Sequence, residues 1–105
     1  MRIVETSIFT KRVKEVLDDE QYRLFQLFLV QNPDAGSVIK GSGGIRKIRW
    51  TGSGRGKRGG TRILYFWFNK NDTILLLFVF KKNEQDDLTN EQLKLLKSIV
   101  ETEYI

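Results

Sequence analysis

A chain of 105 residues that is 40% apolar, 11% aromatic and 30% charged has the size and composition of one folded domain, far from disordered or collagen-like chains. It contains no cysteine and no histidine, which excludes a disulfide framework, a thiolate nucleophile and an imidazole base, and removes the commonest transition-metal ligands. The net charge of +5 points to an anionic partner, and any chemistry has to run on Lys, Arg, Glu, Asp, Tyr, Ser or Thr.

The N-terminus carries charges at Arg2 and Glu5 and lacks the apolar block of a signal peptide, so a cytoplasmic protein forming a single domain over residues 1–105 is expected. The segment Arg2 to Phe9 mixes β-branched and aromatic residues and reads as a first strand. Thr10 is placed to cap a short helix with Val13, Val16 and Leu17 at helical spacing. Asp18 or Asp19 opens a second helix with Tyr22, Phe25, Phe28 and Leu29 on one face, and Pro33 ends it.

A connector rich in Gly and Ser leads to Gly44–Trp50, where Ile45, Lys47 and Arg49 share one face of a strand and Arg46, Ile48 and Trp50 the other. Residues 51–60, TGSGRGKRGG, read as a hairpin tip. Residues 61–69 and 72–82 read as two long strands around a turn at Asn69 to Asp72. The longest apolar run, Ile74 to Phe80, is a buried strand, well short of the roughly 20 residues that span a bilayer. Thr89 to Gln92 fits a capping box before a helix carrying Leu93, Leu96, Ile99 and Val100 on one stripe. The order β-α-α-β-β-β-α predicts an α+β domain: an antiparallel sheet of about four strands, two N-terminal helices and one C-terminal helix. The helices are expected on one face, leaving the other free for a ligand.

The positive charge is concentrated. Between Lys40 and Lys70 lie nine basic residues and no acid, whereas the rest of the chain has nine basic residues and thirteen acids. Within this segment, Gly54, Gly56 and Gly59 match the letters of a dinucleotide-binding fingerprint, but a strand follows where that motif needs a helix. Arg55, Lys57 and Arg58 repel one another on a glycine-rich tip until a polyanion arrives, which suits phosphate binding better than folding. Lys47 and Arg49 share a face, and Arg62 opens the partner strand across the hairpin, so the three can form one patch. Tyr65, Trp67 and Trp50 are nearby aromatics, the kind on which single-stranded RNA stacks its bases, and at most one of them is expected to touch a base. Glu84 is the nearest carboxylate in sequence, best read as a loop salt-bridge partner.

The segments EQYRLFQLFLVQNP, GSGGIRKIRW, GKRGGTRILYF and KKNEQDDLT, in that order, resemble the HigB-like branch of the RelE-superfamily toxins over nearly the entire chain. The resemblance implies a RelE-like fold and a protein that binds messenger RNA in the ribosomal A site and cuts it without metal or cofactor. It also implies a cognate antitoxin encoded beside it, a HigA-like helix-turn-helix protein, and no membrane partner. The family's basic pair on the central strand falls on Lys47 and Arg49, and its arginine opening the next strand falls on Arg62. Its arginine after the fourth strand and its C-terminal tyrosine fall on Asn83 and about Thr89, so Lys82 is the expected replacement cation. Arg46, Arg55, Lys57, Arg58 and Tyr65 are then the RNA-binding candidates, and Lys47, Arg49, Arg62 and Lys82 the catalytic ones.

Cations alone can carry much of such a reaction, because RNA supplies its own nucleophile, the 2′-hydroxyl. Arg49 and Arg62 suit stabilisation of the phosphorane. Lys47, crowded by cations, suits the role of base. Two rivals compete: a noncatalytic module that binds RNA or the ribosome through the same segment, and a domain whose basic charge serves DNA or an acidic protein.

Overall fold

The computed structural model describes residues 1–51, 60–70 and 72–104, with the backbone alone at 103 and 104. The described elements are β1 (Arg2–Glu5), α1 (Ser7–Val16), α2 (Asp19–Gln31), β2 (Ser37–Val38), β3 (Arg46–Trp50), β4 (Thr61–Phe68), β5 (Thr73–Lys81) and α3 (Asn90–Tyr104). They build an α+β fold around one sheet of order β1-β5-β4-β3-β2. Strands β2 to β5 pair antiparallel, but β1 runs parallel to β5, with Arg2 opposite Thr73 and Glu5 opposite Leu76. The sheet is therefore mixed and has five strands, where an antiparallel sheet of about four was expected.

The first strand ends earlier than the alternation suggested. Thr6, not Thr10, caps α1: its side chain accepts the Phe9 N–H at 3.0 Å, so Phe9 turns inward from the helix and is 0% exposed. Thr10 instead donates to the Glu5 carboxylate at 2.6 Å. Asp18 opens α2 by accepting the Gln21 N–H at 2.7 Å. The capping box before α3 is reciprocal, with Gln92 N–H on Thr89 Oγ1 and Thr89 N–H on Gln92 Oε1, both at 3.0 Å. Strand β2, absent from the sequence reading, is only two residues long and pairs Ser37 with Lys47 and Val38 with Arg46.

Helices cover both faces of the sheet, which corrects the expectation of a free one. On one face Phe9 and Val13 of α1 and Phe25 and Leu29 of α2 pack on Ile48, Ile63, Tyr65, Ile74, Leu76 and Val79. On the other, Leu96 and Val100 of α3 pack on Ile45, Leu64, Leu75, Leu77, Phe78 and Phe80. The reason is compositional: β4 and β5 are apolar at successive positions, and a strand without a polar side has to be buried twice. Both Leu77 and Phe78 face α3 because the β4–β5 register shifts there. Leu64 pairs with Phe78 and Tyr65 with Leu76, which leaves Leu77 as an extra residue in β5.

Candidate functional site

Register places the expected cations. Lys47 and Arg49 are two apart on β3, and Arg49 lies directly opposite Arg62 of β4, which in turn lies opposite Phe80 of β5. Residues paired this way stand on one face with Cβ atoms about 5 Å apart. That face is the one α3 covers, because Phe80 belongs to the α3 cluster. Cover thins along β3: Ile45 is fully buried, Lys47 half-buried and Arg49 exposed. Exposure on this face therefore rises along β3 toward the end that leads into residues 51–60, and Arg62, opposite Arg49, is half-buried. Lys82 is at the same end. It is exposed, and its N–H donates to the Gly60 carbonyl at 3.3 Å, beside the start of β4.

A carboxylate that sequence reasoning missed stands in this patch. Asp87, in the loop between β5 and α3, accepts a hydrogen bond and ion pair from Lys47 Nζ at 3.1 Å and the Leu88 N–H at 2.8 Å. Partial burial pushes its carboxyl pKa up, but the Leu88 N–H, Lys47 and the charge of Arg62 outweigh that and hold it below the ordinary value. It is thus an ionised carboxylate at neutral pH. Lys47 in turn is a hydrogen-bond donor here rather than an amine crowded by cations alone, which removes the physical ground for making it the base. The only signal in the sequence was the acidic pair Asp86-Asp87, and nothing local says that either reaches back 40 residues to β3.

Two of the RNA-binding candidates lie on the opposite face. Arg46 donates through Nη1 to the carbonyls of Gly36 at 2.7 Å and Asp34 at 3.2 Å, which ties down the loop after α2. Tyr65 is 0% exposed, accepts the Gly36 N–H at 2.9 Å and donates to the Pro33 carbonyl at 2.7 Å. A ring with no exposed surface offers nothing to a base, and burial pushes its hydroxyl pKa up. Trp50 and Trp67 pack toward the same α1–α2 side, Trp50 at 5.4 Å from the Phe25 ring and 5.6 Å from the Phe28 ring. Strand parity explains all four, since each sits an odd number of residues from a cation of its own strand. Arg55, Lys57 and Arg58 lie outside the described residues. Glu84 is a salt-bridge partner as expected, with Arg12 at 2.6 Å. A cleft of about 440 Å³ between the start of α1 and the far half of α3, lined by Glu5, Ile8, Leu75, Ile99 and Thr102 among others, contains none of the expected site residues.

The fold is similar to that of solved toxins from E. coli. It matches the isolated RelE toxin with a TM-score of 0.59 at 15% identity, over 93% of this chain and 97% of that one. It matches a double mutant of RelE in the free state with the same score and identity, over 81% and 86% of the two chains. A chain of the intact RelBE toxin–antitoxin complex also matches at 0.59 and 15%, over 76% and 94%. At that identity the likeness speaks for the fold. The family follows from the sequence model that describes the RelE toxin of the RelE/RelB toxin–antitoxin system, which matches residues 1–104; the chain belongs to this family.

Proposed function

We propose that the chain is the toxin of a type II toxin–antitoxin pair and acts as a metal-independent endoribonuclease on messenger RNA in the ribosomal A site. The observation that carries this reading is the shared face of Lys47, Arg49 and Arg62, exposed at Arg49 and half-buried at the other two. Cations held there by strand pairing are in place before the phosphodiester arrives, so little reorganisation is needed as its charge grows. Arg49 and Arg62 stabilise the phosphorane. The Asp87 carboxylate, already seated on Lys47, takes the proton of the 2′-hydroxyl as O2′ bonds to phosphorus. The bond from phosphorus to the 5′ oxygen breaks, and that oxygen takes a proton from the ammonium of Lys47 or Lys82. The products are a 2′,3′-cyclic phosphate and a 5′-hydroxyl.

E. coli RelE is found in a complex with its antitoxin, and by analogy this chain would be held by a cognate antitoxin, a HigA-like helix-turn-helix protein, in the cytoplasm. Among the described residues no helix is long and apolar enough to cross a membrane. The second reading, a noncatalytic module that binds RNA or the ribosome, is favoured by one observation: Asp87, with its pKa held down, is a weak base. Mapping message ends after treatment of translating ribosomes separates the two. The nuclease yields new ends within codons, and Arg62→Ala slows their appearance roughly 100- to 1,000-fold, by analogy with loss of one oxyanion-hole donor. Binding without new ends selects the module.

A further inference from the structure

Arg12 stands on α1, outside the cationic face, yet it grips the segment that carries two members of that face. Its Nε donates to the Val79 carbonyl at 2.7 Å, on the stretch of β5 that β1 is too short to pair. Its Nη2 donates to Glu84 Oε1 at 2.6 Å, and its guanidinium carbon lies 4.8 Å from the centroid of the Phe78 ring. The same Glu84 oxygen accepts the Lys81 N–H at 3.0 Å. Helix, strand end and first turn of the loop are thereby joined through one guanidinium and one carboxylate. Lys82 lies two residues before Glu84 and Asp87 three residues after it, the first tied to Gly60 and the second to Lys47.

We infer that Arg12 and Glu84 are positioning residues that fix the course of the β5–α3 loop, and through it the placement of Lys82 and Asp87 against Arg62 and Lys47. The inference rests on the nuclease reading above. Arg12 and Glu84 are 29% and 44% exposed, and a pair so exposed adds little to global stability. Its loss therefore acts on local geometry more than on the melting temperature. A loop freed at its root lets both groups drift from the reacting phosphate, and small misplacements of that kind carry large rate penalties.

The test uses the full chain and four variants, Arg12→Ala, Arg12→Lys, the Arg12→Ala/Glu84→Gln double and Glu84→Gln, the last of which keeps an oxygen for the Lys81 N–H. Two measurements are made at a temperature where all variants are folded by circular dichroism: amide hydrogen exchange, and single-turnover cleavage of message on translating ribosomes. Arg12→Ala and Glu84→Gln are expected to raise exchange at Lys82, Glu84, Gln85 and Leu88 while leaving β4 protected. Both should lower the cleavage rate roughly ten- to a hundred-fold with half-saturation within about two-fold. The double variant should be no slower than the worse single one, as for two groups acting as a unit. Arg12→Lys, which keeps the ion pair, should recover most of the rate. Unchanged exchange overturns the latch, and raised exchange with an unchanged rate overturns its positioning role. If the unaltered protein leaves message intact, the nuclease reading is what fails, and the exchange data then judge the latch alone.

Discussion

Tyr65 shows how one residue can be drawn to the wrong side of a sheet by its neighbours in sequence. It follows Arg62 by three positions, and three is odd, so alternation turns its ring toward α1 and α2 while the arginine faces α3. Its work there is to close the loop after α2: the hydroxyl bridges Gly36 N–H and Pro33 carbonyl, and Gly36 approaches so closely that a Cβ would lie 2.9 Å from Tyr65 Cε1. Tyr65→Phe removes the hydroxyl and leaves a buried N–H without its acceptor, at a cost of about 1–3 kcal/mol. Urea denaturation should show that loss while the affinity for an RNA oligonucleotide stays within about two-fold. A variant of full stability that no longer binds RNA would mean that the ring faces the ligand after all. The same arithmetic was open to a reader of the sequence for Arg46, which alternation alone sets against Lys47 and Arg49. Asp87 was not, since its contact with Lys47 depends on how a loop 40 residues away folds back.

At the scale of elements, the helices and the three long strands were legible, because the caps of α2 and α3, Pro33 and apolar periodicity are local signals, whereas the cap of α1 falls at Thr6 and not at the expected Thr10. What was not legible is set by pairing at long range. β1 is four residues long and joins β5 in parallel, so β5 outruns it, and the carbonyls beyond its end need other donors. Thr6 Oγ1 supplies one to Leu77 at 2.9 Å and Arg12 Nε one to Val79 at 2.7 Å. Thr6 thus serves two elements, capping α1 and finishing the edge of β5. Thr6→Ala should cost about 2 kcal/mol, the upper end for a lost cap because a strand carbonyl loses its donor with it. Thermal unfolding measures this, and a Thr6→Ser variant should restore most of the loss. No change in Thr6→Ala would show that water replaces both bonds freely. The two-sided burial of the sheet had a sequence signal, the unbroken apolar run Ile74 to Phe80, but a continuous run hides its own parity. The bulge at Leu77 could therefore not be placed from it.

For the molecule as a whole, the question is what a net charge of +5 does when Lys47, Arg49 and Arg62 stand together on one face of the sheet. On the face that α3 covers, exposure rises along β3 from Ile45 to Arg49, so the charge of Arg49 and its neighbours Lys47 and Arg62 is presented toward the end of the strand, where an extended polyanion can meet it. If RNA is held there by phosphate contacts, each one releases counterions, and affinity must fall with salt in proportion to their number. Contacts from Lys47, Arg49 and Arg62 alone give a slope of log K against log salt of about −2, at about 0.7 per single-stranded phosphate, and any further contact steepens it. Arg62→Ala should flatten the slope by about 0.7 and weaken binding to all sequences alike, as a phosphate contact does. Measured by fluorescence anisotropy with oligonucleotides of different sequence, a slope near zero would separate the charge from the binding and leave the cationic face without a polyanion to hold. A loss in Arg62→Ala confined to one sequence would instead make this arginine a reader of bases, a role for which a guanidinium paired across the strand with Arg49 is poorly placed, because two adjacent cations are best relieved by the most charged part of the ligand.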